Sequence, residues 1–127
     1  MYYNVYKVAS LGAPRDHLGI FVEINTVDGS GVTTHVTGNI QSGMIFEQMT
    51  VERPELNAGF VKKSLLGRIL VDDLHRVEEI CRNIPPPKKQ FDGPKRLYPK
   101  EPLRRCQEWT NEAVEALVSN SVLQVQY

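Results

Sequence analysis

The sequence predicts an α+β domain, an antiparallel sheet of about four to five strands packed against two main helices, and three observations carry that prediction. Segments of alternating apolar and polar residues recur between short glycine-containing turns in the first half of the chain. Two stretches with helical apolar spacing follow in the second half. With 127 residues and 41% hydrophobic content, the chain forms one domain, residues 1–127, large enough to remove roughly two-thirds of its extended-chain surface from water.

Tyr2 to Ser10 mixes aromatic and β-branched residues and reads as a first strand, ended by the turn LGAPRD with Gly12 and Pro14. His17 to Asn25 sets Leu18, Ile20, Val22 and Ile24 against Gly19, Phe21 and Glu23, the period-two pattern of a strand with one buried face. His17 is its first residue. NTVDGSG reads as a hairpin loop returning into Val32 to Ile40, which contains His35. After Gln41-Ser42-Gly43, a further strand runs from Met44 to Val51, so these three strands form an antiparallel meander. ERPELNAG is turn-rich, and Gly67 to Val71 reads as another strand because Gly67 weakens a helix there.

In VDDLHRVEEICRNI, Leu74, Val77, Cys81 and Ile84 fall on one helical face, Asp72 or Asp73 caps the start, and His75 lies on the solvated side. Pro85-Pro86-Pro87 ends this helix, since proline has no N–H and pushes the preceding residue out of the helical region. The segment from Pro85 to Pro102 is long for a connection in a compact domain, which points to a functional loop. A second helix is expected from Pro102 or Leu103 to about Val118, with Trp109, Ala113, Ala116 and Leu117 toward the core, and VLQVQY as a short edge strand.

Fifteen basic and fifteen acidic residues balance, but unevenly. Residues 85–105 hold seven basic side chains (Lys88, Lys89, Lys95, Arg96, Lys100, Arg104 and Arg105) against Asp92 and Glu101. That local cation suits an anionic substrate; with few aromatics interleaved, nucleic acid is not expected as a partner. The N-terminal MYYNVYKVAS lacks an apolar core of signal-peptide length, and no apolar run reaches the roughly twenty residues of a membrane span. A cytoplasmic, reducing setting is therefore expected, with Cys81 a buried, inert thiol. The edge strand leaves room for a homodimer.

Chemistry concentrates on His17 and His35, each opening an apolar run, and on Cys106 at the start of the last helix. A thiol attacks as thiolate, and a nearby histidine is the usual means of holding it so at neutral pH. In the first turn of the last helix, Cys106 meets unpaired backbone N–H groups and the positive end of the helix dipole, while Arg104 and Arg105 add charge. The N–H groups of Cys106 and Gln107 suit an oxyanion. His17 is placed as general base and His35 as the residue orienting it. Cys106 with the two histidines would also match a zinc shell lacking its fourth ligand, but no sequence-local ligand pair such as HxxxH or CxxC supports one, and neither metal nor cofactor is expected.

HLGIFVEI, HVTGNI and a late CQEW at a helix start resemble the circularly permuted branch of the papain-like, NlpC/P60-type superfamily, which includes lecithin:retinol acyltransferase-like proteins and PPPDE peptidases. There the histidine strand precedes the cysteine helix. The resemblance implies a permuted papain-like fold, with His17 as the strand histidine, His35 as the second histidine of the acyltransferase-like members, Cys106 as nucleophile and Trp109 as the aromatic of the Asn-Cys-x-x-aromatic pattern. Arg105 stands where that pattern has Asn. Over nearly its whole length, through HVTGNIQSGM, IPPPKKQFDGPKR and PLRRCQEW, the chain is also similar to a group of small fungal proteins of unassigned function. The expectation is a thiol-dependent hydrolase or acyltransferase acting on an amide, ester or thioester of a small molecule or peptide. The alternatives are an isomerase or cyclase using Cys and His as acid and base, and a binding module whose thiol is idle.

Overall fold

The computed structural model describes residues 1–12 and 15–125. Ala13 and Pro14 of the first turn, and Gln126 and Tyr127 of the terminal strand, lie outside them. The long strands are β1 (Tyr2–Ser10), β2 (His17–Glu23), β3 (Gly31–Asn39), β4 (Gly43–Val51) and β5 (Phe60–Leu70). Helix α1 spans Leu74–Arg82, the two-residue strands β6 (Phe91–Asp92) and β7 (Lys95–Arg96) form a separate hairpin, and α2 spans Cys106–Ser119 before β8 (Gln124–Val125). The main sheet has the order β4-β3-β2-β1-β5-β8, and its pairings are antiparallel. The expected α+β architecture is present. The short β8 brings the sheet to six strands.

Both helices contribute to a core on one face of the sheet. Ile20 and Val22 of β2, Val36 of β3 and Ile69 of β5 pack there with Val77 and Cys81 of α1 and with Trp109, Ala113 and Leu117 of α2. Trp109 is fully buried; its ring meets Phe46 edge-on at 6.1 Å, and its Nε1–H donates to the Ile84 carbonyl at 3.1 Å. That carbonyl lies beyond the end of α1, just before the prolines, so the indole joins the two helices through a group the broken helix leaves free. His75 is exposed, as its helical spacing predicts.

The second face of β2 is covered as well. Phe21 is 0% exposed and lies 6.4 Å from the ring of Tyr6 on β1. The segment after β4 closes this side, with Pro54 buried, Gly59 accepting from Leu11 N–H at 2.8 Å and Lys63 bridging to Glu55 at 3.1 Å. Alternation in β2 thus separates two packed environments rather than core from water.

Strand β5 begins at Phe60, earlier than the sequence pattern suggests, and pairs with β1 from Ser10 opposite Phe60 to Tyr2 opposite Leu70. Leu65 faces Tyr6 and Gly67 faces Val5, so Leu66 is an extra residue that shifts the alternation. Gly67 is sterically required: a Cβ there would lie 2.0 Å from the carbonyl oxygen of Gln124, where β8 pairs. Helix α2 starts later than expected, because the Gln90 side chain holds Arg104 in an extended pairing. Its Oε1 accepts from Arg104 N–H at 2.8 Å and its Nε2 donates to the Arg104 carbonyl at 2.7 Å.

The proline-rich segment is tied down along its length. Met44 N–H donates to Pro87 O at 2.8 Å and Gln90 N–H donates to Ile40 O at 2.7 Å, anchoring it to β4 and the turn before it. Several of its cations are engaged locally: Lys88 lies 3.5 Å from Glu101 and 3.8 Å from the centre of the Tyr98 ring, and Arg96 donates to the Glu101 carbonyl at 2.7 Å.

Candidate active site

Cys106 is the first residue of α2, and the residues around it fix that position from both sides. Arg105, the N-cap, is extended (φ −123°), and its N–H donates to Glu108 Oε1 at 2.7 Å. This is half of a capping box; an arginine side chain has no acceptor with which to complete it. Glu108 also receives two hydrogen bonds from Arg15, at 3.0 and 3.2 Å, and Gln107 Nε2 donates to the Asp16 carbonyl. The residues immediately before β2 are therefore clasped to the first turn of α2. The next residue is His17.

Burial raises the proton affinity of the Glu108 carboxyl, but the Arg15 hydrogen bonds and the Arg105 N–H outweigh it and hold the group below its ordinary range. Gln107 Oε1 and Thr110 Oγ1, both near Cys106, are buried without a hydrogen-bond partner among the described residues. Such orphaned groups are uncommon in ordinary helix interiors.

Cys106 is 6% exposed and lines a cavity of about 340 Å³ together with His17, Asn39, Arg15, Arg105 and Gln107. The first N–H groups of an α-helix have no intrahelical acceptor, so those of Cys106 and Gln107 stand at the same end of the helix as the thiol. Among the described residues the thiol is free and makes no hydrogen bond to either histidine.

The two histidines meet across neighbouring strands. Ile20 pairs with Thr34, which places Gly19 opposite His35 and His17 on the diagonal. A Cβ on Gly19 would approach the His35 Cβ to 3.2 Å, so glycine leaves the space in which the rings meet. His17 Nε2 lies 2.9 Å from His35 Nδ1, with the rings edge to face, and His35 Nε2 lies 2.8 Å from Glu47 Oε1. Glu47 is the direct cross-strand partner of His35.

This chain of contacts orders the protons. An ionised carboxylate only accepts, so His35 Nε2 carries a proton; in a neutral His35, Nδ1 then accepts, and His17 Nε2 must donate. With His35 in that neutral form, Nδ1 of His17 is left as a lone pair. Burial, the largest cause, and then the neighbouring His35 lower the His17 pKa, against a smaller opposing pull from Glu47. His17 is accordingly neutral at pH 7.

Alternation places Gly19, His35 and Glu47 on the sheet face opposite the helices. His17, as the terminal residue of β2, stands at the end of the sheet. It lines the Cys106 cavity and also a smaller one of about 200 Å³ on the far face, formed with His35, Asn57 and Phe60.

Of the residues singled out in the sequence, Cys106, His17, Arg105 and Gln107 line one cavity, and His35 adjoins it through His17. Arg104 and Trp109 do not line it. Arg104 makes two hydrogen bonds to Glu112, at 2.9 and 3.0 Å, beside a separate cavity, and Trp109 is in the core. From the basic segment 88–105, only Arg105 reaches the Cys106 cavity. Glu47, Arg15 and Gln90 were not singled out. The alternation of β4 contains the signal for Glu47, because a strand paired with β3 must set one residue opposite His35; the register that selects it is set by the turn.

Among the described residues no group of three or more His, Cys, Asp or Glu is arranged to hold a metal ion, and no helix is long and apolar enough to cross a membrane. A protein family described as "Family of unknown function (DUF6540)" matches residues 5–124. No curated protein and no solved structure matches the chain.

Proposed function

The chain belongs to the DUF6540 family of unknown function, and we propose that it is a thiol-dependent acyl hydrolase or acyltransferase with Cys106 as nucleophile and His17 as its base. One observation carries the reading: Glu47, His35 and His17 form a hydrogen-bonded series whose last imidazole shares a cavity with a helix-terminal thiol, and with His35 neutral that series leaves Nδ1 of His17 free to act as base. A carboxylate that orients an imidazole is the arrangement by which nucleophilic sites keep the correct tautomer and stabilise the imidazolium that forms. The order of strand histidine before helix cysteine is consistent with the permuted papain-like resemblance.

In this reading His17 Nδ1 takes the thiol proton, and Cys106 Sγ forms a bond to the substrate carbonyl carbon. The resulting oxyanion faces the N–H groups at the start of α2. Collapse of the adduct breaks the bond to the leaving amine, alcohol or thiol, which receives the proton from His17, and a thioester remains on Cys106. Water or another acceptor then gives a proton to His17, attacks the thioester and frees the thiolate. Hydrogen bonds of the thiol–imidazole kind commonly tighten only once substrate is bound.

Alkylation by iodoacetamide, followed by intact mass between pH 5 and 9, tests the reading. Fast labelling of Cys106 below pH 7, slowed ~100-fold in His17→Ala, is the expected result. Slow labelling that rises only with the thiol pKa near 8.5 of free cysteine, and equally in both proteins, would overturn it.

A further inference from the structure

We propose that the Cys106 cavity selects a short acyl group carrying a carboxylate, and that Arg105 is the residue that reads it; this rests on the nucleophile assignment above. The lining includes two arginines, Arg15 and Arg105, and, among the described residues, no Asp or Glu. The two differ in how they are engaged. Arg15 is neutralised by the two-pronged pair with Glu108. The Arg105 guanidinium has no ion pair or hydrogen bond among the described residues, since the residue serves the helix through its backbone N–H alone.

An unengaged arginine on the wall of a cavity holding a nucleophile is suited to a planar anion, which its fork can bind through two parallel hydrogen bonds. Asn39 lines the same wall, and its Oδ1 is occupied by Ser42 N–H at 2.9 Å, which leaves its amide to act as donor. The helix start adds to the positive field without being needed as the site. Size agrees with that reading. About 340 Å³ accommodates roughly ten water-sized groups, enough to seat a short dicarboxylic acyl unit. A carboxylate held by Arg105 would leave the acyl carbonyl at the thiol.

The test compares two alkylating probes of similar size, anionic iodoacetate and neutral iodoacetamide, on the full chain. Their rate ratio at Cys106 cancels the thiolate fraction and so reads charge selection separately from nucleophile activation. Relative to the ratio for N-acetylcysteine in the same buffer, the protein should favour iodoacetate by about tenfold. That preference should fall about fivefold in Arg105→Gln, the order expected of one partly screened charge, persist in Arg105→Lys, and shrink with added salt. A ratio equal to that of the free thiol, or one raised but unchanged in Arg105→Gln, would overturn the proposal. Because the ratio is readable at any absolute rate, loss of charge selection and loss of thiol activation are separate outcomes.

Discussion

Cys81 and Cys106 are both free, both buried and both on helices, yet their surroundings differ in kind. Cys81 is 0% exposed on the last turn of α1, inside the apolar core, and burial pushes its thiol up to about 12. Cys106, nearly as buried, begins its helix and borders a cavity lined by a histidine and two arginines. Depth does not separate the two. What separates them is which end of a helix the sulfur occupies and whether the space beside it is filled by hydrocarbon or left open.

The sharpest way to break the contrast is to remove each thiol in turn. Cys106→Ala should abolish iodoacetamide labelling of the native protein, whereas Cys81→Ala should leave the labelling rate unchanged and lower unfolding stability by about 1 kcal/mol, the scale of one deleted core group. Labelling at Cys81 in the folded chain, seen by peptide mapping, would erase the distinction. A smaller effect is expected at the far end of the histidine series. Glu47→Leu should slow Cys106 labelling at neutral pH ~10-fold and move the acid limb of its pH profile downward, because His17 loses a charge that favours its protonated form. Glu47→Gln, which retains an acceptor for His35 Nε2–H, should lose less. Unchanged profiles in both variants would remove Glu47 from the site.

The smallest effect concerns stability. A histidine whose folded pKa is lowered binds fewer protons in the native than in the unfolded state. Its contribution is present in full above the unfolded value of about 6.5 and is lost as pH falls through that value toward the lowered one. The urea midpoint should therefore decline between pH 7 and pH 5, and less steeply in His17→Gln. A steeper decline in the variant would contradict the burial assigned to His17.

The same contrast marks how far the sequence could be read. Cys81 was legible because helical spacing alone aligns it with Leu74 and Val77. The strand positions of His17 and His35 were legible because alternation and turn residues are local signals. Their contact with one another depends on a diagonal register and on the room left by Gly19, and the contact of His35 with Glu47 on a third strand's pairing; neither is encoded within any one window of residues. The start of α2 was misplaced for a similar reason. A glutamine side chain fourteen positions earlier substitutes for a neighbouring strand and keeps Arg104 extended. Local propensity favours an earlier start, and a long-range contact decides otherwise. The bulged residue Leu66 hid most of β5 by shifting its alternation partway along.

Glu47 is 46% exposed in its side chain, and alternation puts it on the sheet face away from α2. The imidazole pair is therefore anchored to a solvated group. The carboxylate that holds His35 is thus reached by water and salt from the rear of the sheet, on the side away from the thiol cavity, so ions can screen it without entering that cavity.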